Sequence, residues 1–135
     1  MNSTGKIDVV IADDSPLVRE RLGNMLSEDP NINIVGLARD SLEALSFVEY
    51  KKPDAVVLDI RMPGANGIEV LKKIKKMSPS TVVIILTNYP GSQYKTMCYK
   101  SGVDYFFDKS NEYHLVPKVL SELANSSPVR SYSLK

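Results

Sequence analysis

Asp13, Asp14, Asp59, Thr87 and Lys109 are the residues whose types and placement could do chemistry together. Each falls at or just past the end of an apolar run. Asp13-Asp14 follow Ile7 to Ala12, Asp59 follows Ala55-Val56-Val57-Leu58, Thr87 follows Val82-Val83-Ile84-Ile85-Leu86, and Lys109 follows Val103 to Phe107. Three carboxylates gathered at one place repel one another and raise each other's pKa unless a cation neutralises them. Oxygen ligands without histidine or thiol favour Mg²⁺, which keeps several waters and takes one or two carboxylates together with phosphate oxygens. The Thr87 hydroxyl and the Lys109 ammonium suit the remaining phosphoryl oxygens, as hydrogen-bond donor and point charge. Taken singly these residues are ambiguous. Asp13-Asp14 ahead of Ser15-Pro16 also suits a helix N-cap, and Thr or Lys at a strand end is commonly unremarked surface. Asp59 is the sharpest, because the loop Met62-Pro63-Gly64-Ala65-Asn66-Gly67 follows it rather than a helix cap.

The elements that must position these groups follow from the apolar pattern. The four runs above, with Ile32 to Ala38 as another, have the length and β-branched content of strands buried on both faces. Between them lie segments with helical spacing: Val18, Leu22, Met25 and Leu26; Leu42, Leu45 and Val48; Val70, Leu71, Ile74 and Met77; Tyr94, Met97 and Cys98; and Leu115, Val116, Val119, Leu120 and Leu123. Strand and helix alternate throughout, which predicts an α/β, doubly wound, five-stranded parallel sheet with helices on both faces. Ligands of such sheets bind at the C-terminal ends of the strands, so the five polar groups should share one rim. Helix punctuation agrees. Asp14 or Ser15 caps the first helix with Pro16 at its first position, Ser41 opens the second, Gly67 precedes the third, and Pro90-Gly91-Ser92 precedes the fourth. Pro117 requires the last helix to start late or kink. From about Ala124 periodicity is lost, so the expected division is a domain over 1–124 and a disordered tail or linker stump over 125–135.

Composition narrows the class. With 135 residues, 43% hydrophobic and 24% charged, the chain has the profile of one soluble globular domain. A formal charge of +1 argues against nucleic-acid binding driven by gross charge. The longest aliphatic run, Val82 to Leu86, is far shorter than the roughly 20 apolar residues that cross a bilayer. Cys98 has no second cysteine to pair with, and Met1 to Gly5 lack the pattern of a signal peptide, so a cytoplasmic location is expected.

The set Asp13-Asp14, Asp59 with Met62-Pro63 and Gly67, Thr87 and Lys109 resembles the receiver domain of bacterial two-component response regulators, over about residues 6–124. The resemblance implies a flavodoxin-like sheet of strand order 2-1-3-4-5. It implies that Asp59 accepts a phosphoryl group from a sensor histidine kinase or phosphotransfer protein. Asp14 would ligate Mg²⁺ directly, Asp13 through water, and the backbone carbonyl of Arg61 would complete the protein ligands. Thr87 and Lys109 would hold the phosphoryl oxygens, and Thr87, drawn toward them, would shift the loop after it, with Phe106 as the aromatic that follows. Output or homodimerisation would use the surface of the fourth helix, fifth strand and fifth helix, around Tyr94, Tyr99, Tyr105 and Tyr113. The recipient would be a downstream protein or an output domain.

Departures from the family pattern are Asn88, where a very small residue is usual, and Ser110, where proline is common and a cis peptide often accompanies it. Arg61 and Tyr89, each two residues past a site residue, are expected at the mouth of the site, where they would govern water access to the acyl phosphate. Lys72, Lys73, Lys75 and Lys76 read as a solvated basic stripe, His114 as a surface residue and Cys98 as an inert thiol. Two other functions use the same residues: a phosphate-independent pseudo-receiver that serves as an interaction module, for which Asn88 speaks, and a Mg²⁺-dependent phosphohydrolase, for which no general acid is at hand.

Overall fold

The structure, a computed structural model, describes residues 6–64, 66–88 and 91–132. Strands and helices alternate: β1 (Ile7–Ala12), α1 (Pro16–Ser27), β2 (Ile32–Ala38), α2 (Ser41–Lys51), β3 (Ala55–Leu58), α3 (Gly67–Met77), β4 (Val82–Thr87), α4 (Ser92–Lys100), β5 (Tyr105–Asp108) and α5 (Leu115–Tyr132). The five strands form one parallel sheet in the order β2-β1-β3-β4-β5, as expected.

Successive side chains of a strand point to opposite faces, so the sheet feeds two cores. Val10, Ala12, Val56, Leu58, Val83 and Ile85 pack with α2, α3 and α4. Ile7, Val9, Ile11, Ala55, Val57, Ile84 and Leu86 pack with Leu22 and Leu26 of α1 and with Val116, Leu120 and Ala124 of α5. The central strands β1, β3 and β4 are buried almost throughout, whereas the edge strands β2 and β5 alternate between buried and open positions. Continuous apolar runs and mixed ones thus separate the middle of a covered sheet from its margins.

Some elements differ from expectation for identifiable reasons. Leu42 is 78% exposed, and Ser41, Ala44 and Val48 form the buried stripe of α2 instead. The loop at Pro63 and Gly64 lies against Ser41 in the first turn of α2. Strand β5 begins at Tyr105, not Val103, because Gly102 turns the chain at φ +100 and the Asp104 carboxylate accepts the Val83 N–H (2.8 Å) in place of a ladder bond. Helix α4 buries only Cys98; Tyr94 and Met97, expected on its apolar side, are exposed, and Gly91 offers its N-terminus no side-chain cap. Pro117 falls in the first turn of α5, where its missing N–H has no intrahelical partner to lose. That helix runs on to Tyr132, past Ala124, where periodicity had placed the end of the domain. Extension of an existing helix costs far less than nucleation, so a polar stretch can continue what Val116, Leu120 and Ala124 anchor.

Candidate functional site

The strand register brings the candidate residues together. Ala12 pairs with Leu58, so the residues after them are neighbours, and the Asp59 N–H donates to the Ala12 carbonyl (2.9 Å). Thr87 pairs with Asp108 at the last rung of β4 and β5, and the Lys109 N–H donates to the Thr87 carbonyl (2.8 Å). Five polar residues from four strand ends therefore share one rim. Asp13 and Asp59 are buried, Asp14 is exposed, and Thr87 is fully buried.

Lys109 Nζ lies 2.7 Å from Asp13 Oδ2 and 3.3 Å from Asp59 Oδ2, with its side chain only 10% exposed. The other oxygens are held by the main chain. Asp13 Oδ1 accepts the Ser15 N–H (2.9 Å) and Asp59 Oδ1 accepts the Arg61 N–H (3.2 Å). Burial pushes the Asp59 carboxyl above the ordinary carboxylate range; the Lys109 charge pulls it down and the Asp13 charge pushes it up. Burial also works to lower the Lys109 pKa, but the hydrogen bond to Asp13 and the charges of Asp59 and Asp13 outweigh it and the ammonium is held above its usual value. Both shifts are compatible, because Asp59 has only a share of a cation whose shorter contact is to Asp13.

Asp13, Asp14 and Asp59 each present a ligand oxygen, and these oxygens lie within 4.8 Å of one another. The donor set is all oxygen and anionic, which fits a hard divalent cation such as Mg²⁺ and does not fit a thiophilic metal. Thr87 lies across the rim from these carboxylates, at the end of β4.

Loops support this rim through contacts that local sequence does not announce. A Cβ at Gly67 would lie 2.4 Å from the Ile60 Cα, and the Gly67 N–H donates to the Ile60 carbonyl (2.8 Å), so α3 begins directly against the segment after Asp59. Gly64 has φ +104, and a Cβ there would meet the Ser41 hydroxyl at 2.0 Å. Ser41 donates from both N–H and Oγ to the Pro63 carbonyl, each at 3.2 Å, which fixes the loop to α2. Arg19 Nη1 donates to the Asp13 carbonyl (2.6 Å). In the sequence Ser41 is marked only as the residue that opens the second helix, and Arg19 is not marked at all.

The remaining candidates fall in several places. Arg61 is exposed beside Asp59, Asn88 is exposed after Thr87, and Tyr89 lies outside the described residues. Phe106 is buried among Ile85, Cys98 and Val103. Tyr99 and Tyr105 are open to solvent on α4 and β5, with the Tyr105 ring 5.9 Å from that of Phe107, whereas Tyr113 packs toward the core shared by α1 and α5. The lysine stripe is broken: Lys72, Lys73 and Lys76 are exposed, but Lys75 pairs with Asp104 (2.7 Å) and donates to the Thr81 carbonyl (2.7 Å). His114 is exposed, and no cis peptide occurs among the described residues, Lys109-Ser110 included.

Comparisons with known proteins agree with this geometry. The profile of the family described as response regulator receiver domain matches residues 9–120. The chain is 37% identical over 103 residues to protein-glutamate methylesterase/protein-glutamine glutaminase 2 of Vibrio vulnificus, a match covering 75% of this chain and 30% of that protein. It is 47% identical over 81 residues to a like-named protein of Shewanella oneidensis, covering 60% of this chain and 23% of the relative. The chain thus spans about a quarter to a third of the length of these relatives. Among solved structures, the response regulator domain of Thermotoga maritima CheB superposes with TM-score 0.79 at 30% identity, over 89% of this chain and 95% of that one. The Francisella response regulator 1452 receiver domain superposes with TM-score 0.81 at 27% identity, over 90% and 99%. Among the described residues no helix is long and apolar enough to cross a membrane. With most of its length matched by the family profile, and with the strand order the fold requires, the chain belongs to the family of response regulator receiver domains.

Proposed function

We propose that this receiver is a phosphorylatable signalling switch whose acceptor is Asp59. The observation that carries this reading is the position of the Asp59 carboxylate, buried between an acidic pair and the one ammonium it shares with Asp13. In the transfer, an Asp59 carboxylate oxygen forms a bond to phosphorus while the bond from phosphorus to the donor breaks, and the electron pair leaves with the donor. The donor is a sensor histidine kinase or phosphotransfer protein. Phosphoryl transfer needs positioning and charge neutralisation more than covalent machinery, and the residues at the rim supply both.

Asp13, Asp14, Asp59 and the Arg61 carbonyl are the groups that would hold Mg²⁺, which when bound neutralises charge between the carboxylates and the incoming phosphoryl oxygens. Lys109 is already aimed at Asp59 and needs only to exchange its Asp13 contact for a phosphoryl oxygen. The Thr87 hydroxyl, at the end of β4, donates to another. Drawing Thr87 inward moves the loop that begins at Asn88, and Phe106 on the neighbouring strand follows it. The output is a change in the surface of α4, β5 and α5, read by a downstream protein, an output domain or a second copy of the chain. A cytoplasmic setting, where such kinases present their phosphohistidine, fits this role.

Intact mass after incubation with acetyl phosphate, with and without Mg²⁺, tests the reading on wild type and Asp59→Asn. One Mg²⁺-dependent phosphoryl adduct in the wild type, absent in the variant, is the expected result. An adduct that persists in the variant would move the acceptor elsewhere, and multiple turnovers of a phosphate ester would favour a hydrolase.

A further inference from the structure

The turn that carries Lys109 is organised around the residue before it. The Asp108 carbonyl accepts the Glu112 N–H (2.7 Å) and the Asn111 N–H (3.3 Å), while the Asp108 N–H donates to Glu112 Oε1 (2.9 Å). Its carboxylate accepts the Ser110 N–H (3.0 Å) and Ser110 Oγ (2.7 Å) on Oδ1, and Asn111 Nδ2 (3.2 Å) on Oδ2. Hydrogen bonds therefore fix the backbone on both sides of Lys109, whose own N–H is fixed to Thr87.

We propose that Asp108 is a positioning residue for Lys109, holding the turn from which the ammonium reaches the acidic rim. No ion pair joins the Asp108 carboxylate to any cation among the described residues; its partners are neutral donors, so it acts through backbone placement. The reason a placement device is needed is mechanical. Lysine is a long chain of rotatable bonds, and its ammonium holds two short contacts only if its Cα is held still. Ser110 has no ring to stiffen this turn; the three carboxylate bonds do that work instead. The Ser110 hydroxyl and N–H, followed by Asn111, hold the Asp108 carboxyl below the ordinary range, as donors to its ionised form do.

The proposal rests on the phosphoacceptor reading for its functional readout, and a double-mutant cycle tests it. Asp108→Ala should slow Mg²⁺-dependent labelling by acetyl phosphate on the order of tenfold, as small misplacements of a charged group do. In a Lys109→Ala background it should slow labelling no further, because the two residues act as one. Asp108→Asn, which keeps an acceptor for Ser110, should restore most of the rate. Asp108→Ala labelling at the wild-type rate, or slowing the Lys109→Ala protein as much as the wild type, would overturn the proposal. Should Asp108→Ala not fold, Ser110→Ala and Glu112→Ala each remove part of the same turn and are read in the same way. The ¹⁵N resonance of the Lys109 ammonium gives a readout independent of labelling. It should shift in the Asp108→Ala protein, and an unchanged resonance would also sink the idea. A wild type that takes no label from acetyl phosphate while this resonance still moves would count against phosphorylation by small donors and leave the positioning role standing.

Discussion

Asp13 and Asp59 divide the ammonium of Lys109 unequally, at 2.7 and 3.3 Å. In the resting protein the lysine belongs more to Asp13, and Asp59 is the carboxylate left undercompensated in a buried place. Its charge is therefore only partly offset by the one ammonium within reach.

Removing that cation exposes the repulsion it hides. Lys109→Ala should lower stability by about 3 kcal/mol, the cost of leaving buried charge unpaired. Added Mg²⁺ should then raise the melting temperature of the variant more than that of the wild type. Equal Mg²⁺-induced shifts in calorimetric scans of both proteins would argue that Lys109 and the metal do not neutralise the same charge.

Asp59→Asn should have the opposite effect on the metal-free protein. Because the folded-state pKa of Asp59 is raised, the folded protein binds its proton more readily than the unfolded chain does, so this carboxylate destabilises the fold at neutral pH. The penalty shrinks as pH falls through the raised pKa and is gone below the unfolded value. Thermal melts without Mg²⁺ should therefore show the variant above the wild type by a few degrees at pH 7, with the gap closing toward acid. A gap that widens on acidification would contradict the sign.

Gly67 should tolerate no side chain. A Cβ there would meet the Ile60 backbone at 2.4 Å, and backbone cannot swing aside as a flexible side-chain end can. Gly67→Ala should cost about 1–3 kcal/mol in chemical denaturation, the usual range for overpacking. It should also weaken Mg²⁺ binding, because the displaced segment carries Arg61.

Cys98 should be silent toward thiol reagents in the native state. It is fully buried, and burial pushes its thiol up to about 11, so almost no thiolate forms near pH 8. Ellman's reagent should release one equivalent of chromophore rapidly only after unfolding and, in the native state, no faster than α4 opens; native labelling at the unfolded rate would mean that the thiol is reached in the closed fold.

Exchanging Arg61 and Tyr89 together for Ala should change the lifetime of the acyl phosphate, followed as decay of the mass adduct after the donor is removed. An unchanged decay would mean that water reaches the phosphoryl group by a path these residues do not control.

Much of this arrangement is legible in the sequence. Strand runs in a doubly wound sheet end at one edge, so Asp13, Asp59, Thr87 and Lys109 could be assigned to one rim from alternation alone. Apolar spacing was a poorer guide on α2 and α4. Leu42 and Met97 sit at helical intervals with buried residues yet face solvent, because burial depends on what lies opposite, and periodicity does not contain that. The supports of the site were the least visible. Ser41 reaches Pro63, and Lys75 reaches Asp104, across long stretches of chain, and only the packed fold brings these pairs together. Asp108 was closer to legible, since an acidic residue two positions before a serine is a turn signal, but its tie to Lys109 needed the geometry.

Helix α4, held by the single buried side chain of Cys98 and lacking a side-chain cap, has a thermodynamic consequence of its own. Its free energy of local opening must lie well below that of the whole domain, so its amide protons should trade with deuterium ahead of those in α3, which buries Ile68, Val70, Leu71 and Ile74. A segment with so shallow a well needs only a modest bias to be repopulated.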